Sequence, residues 1–142
     1  MRIIIVGLGN IGLHLAERIN SSSKHELFLI DIDQGKCNRL MRELDAAIIT
    51  GDGTDPEVLQ KAKVRSADVL LTSTETDPIN LVVGLLGLKF SVPHVVVKLG
   101  QKGLEDTCYE VGINNVIMPD KLGAEKLETK IDSWIETVNT GK

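Results

Sequence analysis

The chain has 142 residues, is 42% hydrophobic and 25% charged, and carries a formal net charge of −4. That length holds one domain with a real core but not a nucleotide domain plus a separate substrate domain, and the acidic balance argues against a nucleic-acid footprint. The opening apolar run stops at Val6, too short for the core of a signal peptide, and no run approaches the roughly 20 apolar residues of a membrane span, so a cytosolic protein without membrane insertion is expected.

The first element, Ile3 to Val6, is unbroken and apolar and predicts a strand buried on both faces. It ends in Gly7, Gly9 and Gly12 at G-x-G-x-x-G spacing, with Leu8, Asn10 and Ile11 between them. In that pattern Gly7 permits the tight turn, Gly9 lets the backbone approach a pyrophosphate, and Gly12 lets the next helix pack closely on the sheet. Leu13, Ala16 and Ile19 recur at helical spacing, and the positive end of that helix faces the phosphates. Ser21 to Ser23 form a polar exit. A second strand from Glu26 ends in Asp31, nineteen residues beyond Gly12, which matches the roughly 20-residue offset of a ribose-binding acid. A lone glycine pattern is weak, but strand, glycines, helix, strand and acid together signal a bound adenine nucleotide.

Asp33 then caps a helix carrying Leu40, Met41 and Leu44 toward the sheet, and residues 46–50 form the third strand. After Gly51-Asp52-Gly53, the sequence Thr54-Asp55-Pro56-Glu57 reads as a capping box that starts a short helix running to about Lys63. A fourth strand, Asp68 to Thr72, leads into the loop Ser73-Thr74-Glu75-Thr76, and Asp77-Pro78 starts a helix with almost no polar face. Its excess of apolar side chains, with Gly84 and Gly87 allowing close approach, suggests burial against a second subunit; the alternative is cover by the rest of the domain. Val92-Pro93 ends it, His94 to Lys98 is a fifth strand, and a helix from about Lys102 to Val111 stops at Gly112. Asn115 to Met118 is a sixth strand, and from Pro119 a helix about 30 Å long carries Ala124, Leu127, Ile131, Trp134, Ile135 and Val138 on one stripe. Right-handed crossovers make this a Rossmann-type α/β fold, a doubly wound parallel six-stranded sheet of order 3-2-1-4-5-6 with a long C-terminal helix.

In such a sheet the ligand lies at the carboxyl ends of the strands, beside the switch point between strands one and four. The candidates are therefore residues 7–12, Asp31, Asp52, Ser73, Thr74, Glu75 and Lys98. Asp31 can accept both ribose hydroxyls and would repel a 2′-phosphate, which favours NAD(H) or ATP/ADP over NADP. Asp52 can accept from an adenine amino group or serve its own turn. Lys98 can meet phosphate or carboxylate charge, or pair with a nearby acid. His14, His25 and His94 have no partner at the spacing of a base or metal ligand, and Cys37 and Cys108 read as reduced packing residues. No catalytic or metal site is expected. A nucleotide site with neither substrate domain nor placed proton donor reads as a sensor rather than an enzyme.

Together these motifs resemble the N-terminal domain of regulators of K⁺ conductance, the TrkA/KtrA type. IIIVGLGNIG, LIDID, ITGDGTDPEVLQKAKVRSADVLLTSTETDPINLVV and GINNVIMPD carry the likeness across residues 1–125. Its most specific part is GDGTDPEVL followed by the alanine-aspartate strand and a T-x-x-D-x-x-N segment ending at Asn80; ordinary dehydrogenases share only the glycines. The resemblance implies a cytoplasmic regulatory subunit, peripheral to the membrane, that binds NAD(H) or ATP/ADP and forms dimers or rings beneath a potassium transporter or channel. Carried over by position, residues 7–12 hold the pyrophosphate, Asp31 the ribose and Asp52 the adenine side, with Thr74 and Glu75 in the loop after strand four and Lys98 at the charged end of strand five. The family commonly has arginine in place of Lys98, and its ATP-binding members tend to have arginine in place of Asn10, so the neutral Asn10 favours NAD(H). The implied division is a nucleotide-binding domain over residues 1–118 and a crossover or dimerisation helix over 119–142; the family's C-terminal domain is lacking, as in a fragment or a stand-alone version. Two rival readings are the cofactor half of an NAD-dependent dehydrogenase and a nucleotide sensor serving another cytosolic partner.

Overall fold

A computed structural model describes residues 1–22 and 24–141; Ser23, in the expected polar exit, and Lys142, at the end of the last helix's expected range, lie outside the described residues. The chain alternates strands β1 (Arg2–Val6), β2 (Glu26–Asp31), β3 (Ala47–Thr50), β4 (Val69–Thr72), β5 (His94–Lys98) and β6 (Asn115–Ile117) with helices. The helices are α1 (Asn10–Ser22), α2 (Gln34–Glu43), α3 (Pro56–Lys61), α4 (Asp77–Lys89), α5 (Leu104–Glu110) and α6 (Pro119–Thr140). All pairings are parallel and the order is β3-β2-β1-β4-β5-β6, the doubly wound sheet expected from the sequence.

β1 occupies the centre, in register with β2 (Ile4 opposite Phe28) and β4 (Ile4 opposite Leu70), so its apolar run is buried on both faces. Alternate residues feed two cores. Ile3 and Ile5 pack with Leu27, Leu29, Ala16 and Leu40 under α1 and α2. Ile4 and Val6 pack with Leu59, Leu70, Val83, Val97 and Ile113 on the opposite face, under α3, α4 and the segment after α5. Right-handed crossovers moving one way from β1 put their helices on one face, and those moving the other way put theirs on the second. The α1 face of β4, β5 and β6 therefore carries no helix of its own: Val69 and Val96 are half-buried and Ile117 exposed there, beside Ile11, Leu15 and Ile19 of α1.

Local signals shift several boundaries. The expected capping box does not form: Asp55, not Thr54, is the N-cap of α3, its carboxylate accepting from the Glu57 N–H at 2.9 Å. A carboxylate one residue closer to Pro56 meets the open amides directly. The helix stops at Lys61, and a 3₁₀ turn, Val64–Ser66, completes the connection. The α5 helix begins at Leu104, two residues after its expected start, because Gly103 is left-handed (φ +101°). Met41 is exposed rather than core-facing; Leu40 and Cys37 are the buried pair of α2. Cys37 and Cys108 are both buried and free, as expected for packing residues.

Gly84 and Gly87 face the sheet of this same domain, not a second subunit. A Cβ on Gly84 would meet Val97 Cγ2 at 2.6 Å, and one on Gly87 would meet Leu70 Cδ2 at 2.7 Å. The outer side of α4 leaves Ile79, Val82 and Leu85 about 40% exposed, so the domain does not cover its apolar excess. The α6 helix has no buried residue along 22 residues, about 33 Å, and Leu127, Ile131, Trp134, Ile135 and Val138 all face outward.

Overpacking against the β-branched Val97 should make Gly84→Ala destabilising by about 1–3 kcal/mol. Gly123→Ala in α6, where a Cβ meets nothing, should be neutral or stabilising by up to about 1 kcal/mol. Urea unfolding of the two variants measures both.

Candidate functional site

The turn after β1 is built by exclusion. Gly7 has φ +91°, and a Cβ there would sit 2.6 Å from the Thr74 N and 2.8 Å from its Cα, so backbone conformation and space both demand glycine. A Cβ on Gly12 would collide with the Gly7 carbonyl oxygen and come within 2.6 Å of Ser73 Oγ, which is why α1 can start directly above the turn. Gly9 has nothing within 4 Å of its would-be Cβ, and that side of the loop is open to an approaching group. The first turn of α1 contains no acidic residue, so its N–H groups and dipole end are not neutralised from within the helix.

Asp31, at the end of β2, is only 9% exposed. Its Oδ2 accepts from the Leu8 N–H at 2.8 Å and its Oδ1 from the Asp33 N–H at 2.8 Å. A carboxylate offers about four acceptor positions, so capacity remains for two further donors. Lys36 Nζ lies 3.6 Å from Oδ2. Asp33 caps α2 as expected, accepting from the Lys36 N–H at 3.0 Å.

Two cavities flank Gly9. One, about 330 Å³, runs between Asp31, Asp52 and Glu75 and is walled by the exposed side chains of Ile32 and Ile79. The other, about 620 Å³, runs from Asn10 past Glu75 to Lys98 and Gly100. They share Leu8, Gly9, Lys36, Ser73 and Glu75, and their sizes fall in the range of small-molecule sites. The two chambers thus adjoin at the open glycine loop.

The remaining sequence candidates take unequal roles. Asp52 is exposed and holds its own turn, Oδ1 accepting from the Thr54 N–H at 2.9 Å and the Thr54 hydroxyl at 2.7 Å, while still lining the first cavity. Those two donors hold its carboxyl below the usual value of 3.8. Ser73 is buried and donates to the Gly7 carbonyl at 2.9 Å, which ties the end of β4 to the glycine turn. Glu75 is exposed at the lip of both cavities. Lys98 is half-buried at the mouth of the second, and among the described residues it forms no ion pair, so the pairing alternative is not realised.

Sequence reasoning gave no site role to Asn80 or Lys36. Asn80, 0% exposed, is the polar hub of α4. Its Oδ1 accepts from the Thr72 hydroxyl and the Thr74 N–H, each at 2.8 Å, and from the Thr74 hydroxyl at 2.7 Å; its Nδ2 donates to the Thr74 and Lys98 carbonyls, each at 3.0 Å. Asp77, one turn earlier, accepts from the Gly100 and Gln101 N–H groups at 2.8 and 2.9 Å. One helix start thereby clamps the loops after β4 and β5. A lone asparagine in an otherwise apolar helix was the available signal. Burial pushes the Cys108 thiol up from its usual range, with Asp77 and Glu105 adding to the effect, so it stays protonated. Among the described residues no group of three or more metal-ligating side chains gathers, and no helix is long and apolar enough to cross a membrane.

A parallel sheet of this order with a glycine-lined cleft at its switch point defines a Rossmann-type domain. The chain belongs to the TrkA-N domain family, whose model matches residues 3–119. A Trk system potassium uptake protein TrkA homolog from Methanothermobacter thermautotrophicus is 34% identical over 131 residues, 92% of this chain and 60% of that protein. The chain spans 60% or less of the length of this relative and of TrkA homologues from Methanosarcina mazei and Archaeoglobus fulgidus. Among solved structures, the Kef CTD of Shewanella denitrificans in AMP-bound form superposes with a TM-score of 0.80 at 17% identity, over 95% of this chain and 82% of that one. The GsuK channel bound to NAD gives 0.72 at 19% identity, over 83% of this chain and 21% of that one. At these identities the superpositions speak for the fold.

Asn80→Ala should cost about 2–4 kcal/mol of unfolding free energy, because it strands several buried donors and acceptors at once. Denaturant melts measure it, and Asn80→Asp should be no milder, since it replaces the Nδ2 donor facing two carbonyls with a charge. For Asp52, a carboxyl lowered in the folded state contributes stability that is present above its unfolded value and lost as pH falls through its folded one. An NMR titration should therefore find its midpoint below 3.8, and Thr54→Val, which removes the hydroxyl donor, should raise it.

Proposed function

We propose that this chain is the nucleotide-sensing domain of a potassium uptake system, binding NAD(H) in preference to ATP or ADP and passing its occupancy to neighbouring subunits. The observation that carries the reading is the pair of adjoining cavities at the open glycine loop, with the Asp31 carboxylate fixed by two backbone N–H groups beside it. Asp31 would accept ribose hydroxyls. Gly9, Asn10, Ile11 and Gly12 would offer backbone N–H groups to the pyrophosphate. Ile32 and Ile79 would cover the faces of an adenine, with Asp52 at its edge. Ser73 acts by holding the turn, Thr74 and Glu75 border the middle of the cleft, and Lys98 meets charge at the far end. The names of the TrkA relatives support the link to potassium uptake, and the AMP- and NAD-bound forms of the superposable structures support an adenine nucleotide.

The mechanism is a population shift. A nucleotide that contacts the loops after β1, β2 and β4 differently in two assembly geometries biases their ratio tenfold for about 1.4 kcal/mol of differential affinity. The exposed apolar faces of α4 and α6 are the surfaces for a homodimer or ring, and the membrane-embedded transporter or channel subunit is the partner that reads the rearrangement from the cytoplasmic side. Residues 1–118 serve as the sensing domain and residues 119–142 as the crossover element.

Calorimetry with NAD⁺, NADH, ADP and ATP tests the first half of this reading. NAD⁺ or NADH should bind more tightly than ADP or ATP and without turnover of reduced nicotinamide, and Asp31→Ala should weaken that ligand by about 1–3 kcal/mol. Sedimentation tests the second: the wild type should be at least dimeric, and charging the α6 stripe with Ile131→Asp and Ile135→Asp should shift it toward monomer with the melting of the domain unchanged.

A further inference from the structure

Among the described residues Lys36 is the one cation that borders both cavities, and its position is unusual for a helix. Asp33 is the N-cap of α2, so Lys36 falls in the first turn, where the helix dipole disfavours positive charge. Its side chain remains 27% exposed and borders both cavities, whereas Lys98 borders only the second of the two. Its ammonium rests 3.6 Å from Asp31 Oδ2, longer than a close charge-assisted hydrogen bond. The cleft is otherwise acidic: Asp31, Asp33 and Asp52 line the first chamber, Asp77 and Asp120 the second, and Glu75 both. A diphosphate entering there meets repulsion that the open N–H groups of α1 answer only in part.

We infer that Lys36 is a phosphate-binding residue of the cleft, exchanging its loose pairing with Asp31 for the bridging phosphates of an adenine dinucleotide or of ADP. The inference rests on the nucleotide reading given above. The exchange has two effects at once. It supplies the positive charge that the neutral Asn10 at the start of α1 does not, and it releases Asp31 Oδ2 for a ribose hydroxyl. A flexible four-carbon stem suits a group that moves between two anions over a short distance.

The test titrates ADP into the full chain in four forms: wild type, Lys36→Met, Asp31→Asn, and the double variant. Lys36→Met should weaken ADP by about tenfold in the wild-type background and by a similar factor in the Asp31→Asn background, because the lost contact is to phosphate. Lys36→Arg, which keeps the charge, should stay within about threefold of wild type. A Lys36→Met effect that vanishes once Asp31 is Asn would overturn the inference, since the lysine would then act only through the carboxylate. Unchanged ADP affinity in Lys36→Met would overturn it as well. A wild-type chain that bound neither ADP nor NAD⁺ would instead remove the nucleotide reading of the cleft, and the phosphate role with it.

Discussion

The architecture turns on the crowding at the carboxyl ends of β1 and β4. Gly7 is pressed against the Thr74 backbone, Gly12 against the Gly7 carbonyl, and Ser73 hydrogen-bonds across the gap, so two segments distant in sequence, residues 7–12 and 73–74, meet with no room for a single extra carbon. From this point one strand sends its helix to one face of the sheet and the other sends its helix to the opposite face. Because the chain leaves in both directions, a cleft must open between the diverging loops. The same packing that closes the core beneath the turn exposes the amides above it.

A second constraint is the polar network at the start of α4. Burying an asparagine in an apolar helix is costly unless each of its polar groups is satisfied, and here both ends of the amide have partners. The arrangement ties the β4 loop, the β5 end and the helix into one rigid unit. On its other side the same helix shows Ile79, Val82 and Leu85 to solvent. A contact made on that outer face therefore bears on a helix bonded directly to two lips of the cleft.

Charge separates two regimes of the molecule. The core faces are almost wholly apolar, while the cleft gathers acids around two lysines. Across that acidic lining the open N–H groups at the start of α1 and the Lys36 and Lys98 ammonium groups are the positive counterweights.

The alternation of strands and helices, the two-faced burial of β1, the glycine turn, Asp31 at the end of β2 and the Asp33 cap were legible in the sequence because each depends on neighbours close along the chain, and the strand order followed from the handedness of crossovers applied to that alternation. Periodicity, a short polar side chain before a helix and the spacing of glycines are local quantities. The α3 cap and the ends of α3 and α5 shifted by a residue or two, since proline and left-handed glycine move a helix start without changing the hydrophobic pattern. What only tertiary structure decided was which polar groups meet. Asn80 serves loops on two different strands, Gly84 and Gly87 turn toward the domain's own sheet, and Lys36 comes to the seam between two chambers. Likewise the bare α1 face of β4 to β6 follows from the handedness of crossovers acting over the whole sheet. A sequence read in one dimension records which residues can bury, cap or bend; which of them converge depends on distances that exist only after the chain has closed on itself.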